Sequence, residues 1–203
     1  NNQHTTTLAT GDKEARVDSI IAHIKEELDV DILDQTNIFH IGSLSLTDQP
    51  ARDTTFYAVK RAKNKGSIIS YDPNYRSSLW ENEEIAKEHM RSLLPYVDIM
   101  KISDEETELL SGYENVIEAA EELYRQGVKI VAITLGRNGT YIYNKDGGRI
   151  VEGFAVEYVA DTNGAGDSFW GSFLYKLSQS DKRIDELTLE ELAEYARFGN
   201  AAA

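Results

Sequence analysis

The chain of 203 residues contains no cysteine, which excludes disulfide bonds and zinc sites built on thiolates. It also has no apolar run that approaches membrane-spanning length and no recognisable signal peptide. Positive charge is scarce, because 35 acidic residues outnumber 21 basic ones and give a formal net charge of −14. This balance argues against nucleic acids and anionic membranes as partners, and we expect a cytoplasmic protein.

What is present is the composition of an ordinary globular protein, with 41% hydrophobic and 28% charged residues. A chain of this length can bury a core and is most simply one domain. We divide it into an N-terminal segment, residues 1–36, and a single α/β core, residues 37–203. The first segment begins with a polar, Thr-rich stretch that has no ordering pattern, and apolar residues at helical intervals then predict a helix over residues 13–28.

From residue 37 onward, short apolar runs alternate with helical patterns. The patterns predict strands over residues 37–43, 67–71, 97–102 and 128–134, and helices over residues 50–64, 81–94, 115–126, 168–178 and 188–203. Two further apolar runs, residues 141–143 and 149–151, flank a glycine-containing turn and indicate a hairpin. This alternation predicts an α/β fold, a three-layer sandwich with a mainly parallel central sheet.

The most distinctive stretch is a glycine-rich loop that follows a strand-like run, residues 154–159, and precedes a helix. Glycines before a helix start let the backbone turn tightly, so that the N–H groups of Gly164, Ala165 and Gly166 converge. With the positive end of the helix dipole, such donors are typical of an anion site. Asp167 lies where its carboxylate could take a proton from a nucleophile that attacks the bound anion. A helix N-cap beside a simple turn is the alternative.

Polar residues also follow other predicted strands, and sites in parallel α/β sheets lie at the carboxyl ends of strands. The strand over residues 67–71 is followed by Asp72, Asn74 and Arg76, for which the alternative is an Asp-Pro turn with an exposed arginine. Inside the first strand of the core, His40 is interpreted as a core or edge histidine rather than a catalytic one.

The next two strands end in equally polar stretches. Lys101 lies at the end of one strand, and Ser103 with Glu106 three residues later has the pattern of a capping box. The strand over residues 128–134 ends in a glycine-rich loop, residues 134–139, which a hairpin turn would explain equally well.

Three of these motifs carry a family resemblance. Residues 161–169 closely resemble D-T-x-G-A-G-D-x-F, the C-terminal signature of the ribokinase-like (PfkB-type) carbohydrate kinases. Residues 72–76, followed by Leu79-Trp80, are similar to a pattern of fructokinase-type members. Glu106 matches the glutamate of the family's N-x-x-E motif, although Ser103 stands where that motif has asparagine, a departure that also resembles fructokinase-type members.

The resemblance implies ATP-dependent phosphorylation of a hydroxyl of a small sugar. It implies Asp167 as general base and Gly164, Ala165 and Gly166 as the anion hole; Asp72, Asn74, Arg76, Lys101 and Asp161 at the substrate or phosphate; Thr134, Gly136, Gly139 and Asn200 at the nucleotide; and Glu106 at the metal. The implied cofactors are ATP and Mg²⁺, with a monovalent cation as a further candidate. The implied partners are the sugar, ATP and a second copy of the full-length protein.

A fructose-like ketose is the favoured acceptor, and ribose and 2-keto-3-deoxygluconate are the alternatives. The resemblance covers residues 37–203, with no counterpart to the family's glycine-rich N-terminal region. We therefore expect an incomplete ribokinase-like, Rossmann-like fold without the small lid and without the extreme C-terminus. A module of the same fold that binds sugar or nucleotide and transfers no phosphate is the alternative from another class. A dinucleotide-dependent dehydrogenase is disfavoured, because the glycines lack G-x-G-x-x-G spacing.

Overall fold

A computed structural model describes residues 28–155 and 162–203. The helix predicted over residues 13–28 and the strand predicted over residues 154–159 fall almost entirely outside the described residues. The remaining predicted elements of the core can be compared with the structure one by one.

The described part of the chain contains seven α-helices, five short 3-10 helices and six strands. The helices are α1 (Val30–Gln35), α2 (Ala51–Asn64), α3 (Glu83–Arg91), α4 (Thr107–Ser111), α5 (Val116–Arg125), α6 (Ala165–Ser178) and α7 (Leu189–Ala202). The strands are β1 (Ile38–Ile41), β2 (Ile68–Tyr71), β3 (Ile99–Ser103), β4 (Ile130–Thr134), β5 (Thr140–Asn144) and β6 (Gly147–Val151). Each strand and helix predicted within the described part of the core is therefore present, with ends that differ from the prediction by at most three residues.

Several helices begin where a polar side chain accepts a hydrogen bond from a free N–H group of the first turn. Asn82 accepts from the Ile85 amide at 2.9 Å before α3, and Asn115 accepts from the Ile117 amide at 2.9 Å before α5. Thr188 forms a capping box at the start of α7. These caps are local, and for this reason the sequence alone predicts the helix starts well.

The six strands form one sheet in the order β1-β2-β3-β4-β5-β6. The first four strands are parallel, whereas β5 and β6 run antiparallel as a hairpin added to β4. The mainly parallel sheet and the hairpin of the sequence prediction are confirmed. Because β1 to β4 run in the same direction, their carboxyl ends meet at one edge of the sheet.

Helices cover both faces of the sheet and bury two apolar cores. On one face, residues of α2, α3, α4 and α5 pack on side chains such as Ile69 and Met100, which are fully buried. On the other face, α6 and α7 pack on residues such as Ile99 and Ile130. Burial of such apolar surface is the main favourable term in folding. The three-layer α/β architecture is confirmed.

The helices α6 and α7 pack closely where Gly199 meets Phe169. A methyl group at Gly199 would lie 2.7 Å from Cδ2 of Phe169, so residue 199 has no room for a side chain. None of the helices in the two described ranges is both long and apolar enough to span a bilayer.

Candidate active site

Strand alternation directs one set of side chains toward α6 at the carboxyl edge of the sheet. His40 on β1 and Ser70 on β2 are register partners, and successive side chains of a strand point to opposite faces. Ile99 belongs to the core beneath α6 and α7, so Lys101, two residues later on β3, faces the same way. Asp72 directly follows β2. The sheet therefore brings four polar side chains together beneath the start of α6.

Asp72 and Lys101 form a buried ion pair in this cluster. Lys101 Nζ lies 2.9 Å from Asp72 Oδ2, and the two residues are 6% and 4% exposed. Burial raises the pKa of Asp72 from 3.8 to about 6; the Lys101 charge opposes this rise, and the charges of Glu106 and Asp167 add to it. The second oxygen, Oδ1, is buried and has no hydrogen-bond partner in the described part of the chain. Asp72 therefore retains an unused acceptor within the site.

The glycine-rich loop forms the first turn of α6. The prediction that this helix starts at residue 168 is wrong, because it begins at Ala165, after Gly164 in a left-handed conformation with φ 77°. Ala165 N–H donates to Thr162 O at 3.2 Å, whereas the N–H groups of Gly166 and Asp167 have no backbone acceptor within the described ranges. The helix start thus offers free amide donors, although that of Ala165 is already engaged in the turn.

The ammonium group of Lys101 lies against this first turn. A methyl group added at Gly166 would be 3.0 Å from Lys101 Nζ, so the two groups are in contact distance. A fixed positive charge therefore accompanies the free N–H groups and the positive end of the helix dipole. This combination favours an anion at the start of α6.

Asp167 lies in the first turn of α6 and remains exposed. Within the described residues its carboxylate takes part in no ion pair, and it lines a cavity of about 300 Å³ together with His40, Asp72, Asn74 and Arg76. A proton acceptor for a substrate must be accessible from a cleft, and Asp167 meets this requirement. Asp161, the other aspartate of the signature, lies outside the described residues.

The loop after β2 is held in place by Glu106. Tyr75 N–H donates to Glu106 Oε1 at 2.7 Å, just beyond Asn74, which has a positive φ of 48°. Arg76 is exposed, and its side chain donates only a long bond of 3.4 Å to Tyr75 O. Its guanidinium group has no carboxylate partner among the described residues and is free to meet an anion in the cavity.

Glu106 itself is buried, and both of its carboxylate oxygens accept hydrogen bonds. Its Oε2 accepts from Ser103 N at 2.8 Å and from Ser103 Oγ at 3.0 Å. The capping box predicted for these two residues is confirmed. The described residues contain no cluster of three or more acidic or histidine side chains that could hold a metal ion.

The predicted nucleotide residues lie at the other end of the same sheet edge. Thr134 ends β4, with Oγ1 donating to Ile102 O at 3.3 Å, and Gly136 begins a short 3-10 turn. Gly139 has a φ of 95°, and a methyl group there would lie 2.1 Å from Val151 O. This close approach of two backbones explains the glycine without a ligand, so its role at a nucleotide remains a prediction.

Asn200 on α7 is tied to the hairpin. Its Oδ1 accepts from Thr140 Oγ1 at 2.8 Å, and its Nδ2 donates to Val151 O at 3.0 Å and to Glu152 O at 3.2 Å. These bonds occupy the polar atoms that a contact with adenine would use. The contact between Asn200 and the nucleotide therefore remains a prediction, beside a structural role that the sequence did not indicate.

His40 is a titratable residue of the cavity that sequence reasoning did not select as a site residue. It lies on the cavity with Asp167, and its Nδ1 is 3.0 Å from Ser70 Oγ. Partial burial lowers the pKa of His40; the negative charge of Asp167 and a backbone hydrogen bond of Ser70 oppose this effect, and the Lys101 charge adds to it. The strand pattern contained a signal for this position, because residues 40 and 42 lie on the same face of the chain at the end of β1, and Gly42 also lines the cavity.

Comparison with known proteins identifies the family to which the chain is similar. The family model described as pfkB family carbohydrate kinase matches residues 1–203. A probable fructokinase-2 of Arabidopsis thaliana is 38% identical over 177 residues, which are 87% of this chain and 53% of the relative. The chain spans about half the length of the curated relatives it matches.

Solved structures to which the chain is similar include sugar and riboside kinases. A fructokinase from Vibrio cholerae, solved with fructose, ADP and a calcium ion bound, is 31% identical, with a TM-score of 0.70 over 78% of this chain and 51% of that one. An aminoimidazole riboside kinase from Salmonella enterica is 30% identical, with a TM-score of 0.71 over 81% of this chain and 54% of that one. Because the family model covers every residue, the chain belongs to the pfkB family of carbohydrate kinases.

Proposed function

We propose that the protein containing this chain transfers the γ-phosphoryl group of ATP to a hydroxyl of a small sugar. The observation that carries the proposal is the position of Asp167, exposed on a cavity in the first turn of α6, beside free amide donors. A general base and an anion site in the same helical turn are the two parts that phosphoryl transfer needs.

The proposed reaction is a displacement at the γ-phosphorus of ATP. The sugar oxygen forms a bond to the γ-phosphorus while the bond from that phosphorus to the oxygen bridging it to the β-phosphate breaks, and ADP leaves. The proton of the attacking hydroxyl passes to the carboxylate of Asp167. Two hydrogen-bond donors, the N–H groups of Gly166 and Asp167, face the charge that develops on the transferred group, with those of Gly164 and Ala165 as further candidates. Donors of this type contribute about 3 kcal/mol each to transition-state stabilisation.

Lys101 and Arg76 are proposed to act on the phosphate groups. Lys101 lies against Gly166, and its charge is fixed there by the ion pair with Asp72. Arg76 is exposed on the cavity, where a guanidinium group can bind a phosphate with two parallel hydrogen bonds. Asn74, in the same loop, is proposed to support this contact.

The residues present fit a magnesium ion that is bound mainly through nucleotide phosphates and water. The unused Oδ1 of Asp72 is the hard oxygen acceptor that such an ion prefers, and Glu106 adds a second carboxylate near the sheet edge. We propose that these two carboxylates hold the ion, Glu106 through water. When bound, the ion neutralises charge on the nucleotide phosphates. A monovalent cation is a second candidate for which no residue of the described ranges is assigned.

A fructose-like ketose is the proposed acceptor. Support comes from the residues at 72–76 and from the fructokinases among the relatives, one of which was solved with fructose and ADP bound. Ribose and 2-keto-3-deoxygluconate are kept in the panel of acceptors, and the similarity to an aminoimidazole riboside kinase adds a riboside to it. A cytoplasmic location and a homodimer remain predictions of the sequence.

The test is a panel of reactions with the protein that contains this chain. The protein is mixed with ATP, Mg²⁺ and each of the four acceptors, and both ADP and the phosphorylated product are measured. We expect ADP to form in step with a sugar phosphate, fastest with fructose. Binding of sugar or ATP with no sugar-dependent ADP would contradict transfer and would favour a binding module of the same fold.

A further inference from the structure

Ser70 links the sheet to α6 through two hydrogen bonds. Trp170 Nε1 lies 2.9 Å from Ser70 Oγ, and the Nδ1 atom of His40 lies 3.0 Å from the same oxygen. Ser70 is fully buried, and Trp170 is 2% exposed. Trp170 stands three residues after Asp167, on the same side of α6. The chain of bonds therefore runs from the helix that carries Asp167 to the histidine on the cavity.

The direction of these hydrogen bonds follows from the chemistry of the three side chains. An indole nitrogen can only donate, so Ser70 Oγ accepts from Trp170. The hydroxyl hydrogen of Ser70 then needs an acceptor, and His40 Nδ1 is the acceptor within reach among the described residues. If His40 Nδ1 donated instead, that buried hydroxyl hydrogen would lack a partner there, which is costly. His40 Nδ1 is therefore an acceptor, and in the neutral ring the proton lies on Nε2.

We propose that His40 is a sugar-binding residue whose Nε2–H donates a hydrogen bond to an oxygen of the acceptor sugar, with Ser70 as the residue that fixes its tautomer. The inference rests on the proposed function, because it concerns the sugar that Asp167 would deprotonate. His40 and Asp167 line one cavity, and polar contacts of this kind orient a ligand in a site.

The charges around His40 agree with a neutral ring. Partial burial of the ring and the Lys101 charge from β3 lower the pKa of His40, the Asp167 charge from α6 and a backbone hydrogen bond of Ser70 raise it, and the net effect lowers it. At neutral pH the ring is then uncharged, so it can accept at Nδ1 and donate at Nε2 at the same time. A charged imidazolium could not accept from Ser70.

The tautomer is measured by NMR on protein with ¹⁵N-labelled histidine. The sequence contains four histidines, and His40→Gln identifies the signal that belongs to residue 40. We expect one neutral tautomer with the proton on Nε2, and a shift of the Nε2 signal on addition of fructose. A proton on Nδ1, an imidazolium at neutral pH, or signals that no acceptor in the panel moves would overturn the inference. In Ser70→Ala, the Nδ1 signal should move as its hydrogen bond is lost.

Steady-state kinetics separate sugar binding from a purely structural role. His40→Met removes the donor and should raise the KM for the sugar by about tenfold, with the KM for ATP unchanged, whereas His40→Gln keeps a donor at a similar reach and should restore most of the loss. His89→Met is the control for the loss of a histidine, since His89 stacks on Trp80 but is not itself among the described residues that line the cavity.

The outcomes for the two proposals are distinct. An active kinase whose sugar KM is the same in His40→Met overturns the role of His40 and leaves the proposed function intact. A protein that phosphorylates no sugar overturns the proposed function, and the NMR titration then still decides whether His40 Nε2 contacts a bound sugar.

Discussion

The surroundings of Asp72 at the cavity control the protonation of its carboxyl group. Asp72 is buried, and its Oδ2 forms an ion pair with Lys101. Its Oδ1 has no hydrogen-bond partner in the described ranges. Burial raises the pKa of Asp72 to about 6, which means that the native protein binds this proton more tightly than the unfolded chain does. The contribution of Asp72 to the free energy of unfolding is therefore largest at low pH and is lost as the pH rises through about 6.

The first prediction concerns this pH dependence. The free energy of unfolding of the wild type, minus that of Asp72→Asn, should fall by about 2 kcal/mol between about pH 4 and pH 7, because only the wild type has a carboxyl at residue 72 to ionise. Urea unfolding of both proteins at several pH values measures the difference. A difference that rises with pH would mean that attraction to Lys101 outweighs burial and lowers the pKa of Asp72.

The positions of the site residues relative to the strands could be predicted from the sequence, whereas their contacts could not. Asp72 directly follows β2 as predicted, whereas Lys101 lies in the middle of β3 and not at its end. Glu106, selected from the family motif, lies in the short turn after β3. Their contacts were not predictable, since the Asp72–Lys101 pair joins residues 29 positions apart and depends on strand register. For the same reason His40 was interpreted as structural, because its link to Trp170 through Ser70 spans the sheet and a helix.

At the scale of elements, α6 is the helix on which the site depends. Its first turn carries Asp167, its middle packs Trp170 and Phe173 on the sheet, and Phe169 meets Gly199 of α7. Two glycines lie at contrasting places in this pair of helices. Gly199 is pressed against Phe169, whereas Gly171 on α6 is exposed with nothing within 4 Å of an added methyl group.

The second prediction compares these two glycines. Gly171→Ala should raise the free energy of unfolding by about 0.5–1 kcal/mol, because alanine loses less backbone entropy in a helix. Gly199→Ala should lower it by about 1–3 kcal/mol, because the methyl group clashes with Phe169 and its carbonyl oxygen. Thermal or urea unfolding measures both. Equal effects of the two substitutions would contradict the close packing of α6 on α7.

Element boundaries were predicted less accurately where the loop itself becomes helical. The start of α6 was placed at residue 168 because glycines at 164 and 166 suggest a loop, yet the helix begins at Ala165. Packing against Lys101 and the sheet outweighs the weak helix propensity of Gly166. Helices α3, α5 and α7 start next to capping side chains and were placed within one or two residues.

At the scale of the whole molecule, one sheet separates two apolar cores. The chain has two tryptophans, and each belongs to a different core: Trp80, 9% exposed, lies on the side of α2 to α5, and Trp170, 2% exposed, extends from α6 into the core on the other side. Because both cores share the same strands, neither can unfold without exposing the other.

The third prediction is that both cores unfold together. Fluorescence of Trp170 in a Trp80→Phe variant, and of Trp80 in a Trp170→Phe variant, should each give the same urea midpoint as far-UV circular dichroism of that variant. Trp170→Phe should be less stable overall, since Ser70 loses its donor. Separate midpoints within one variant would show that the two faces of the sheet are independent units.

The most direct test of the account is turnover by Asp167→Asn in the protein that contains this chain. Asparagine keeps the shape of the side chain and cannot take the proton, so kcat for sugar phosphorylation should fall about 10²–10⁴-fold, with the unfolding midpoint and ATP binding unchanged. Asp181→Asn, an exposed position beyond the far end of α6, is the matched control and should retain full activity. A kcat for Asp167→Asn within a few-fold of the wild type would contradict Asp167 as the base, and with it the proposed mechanism.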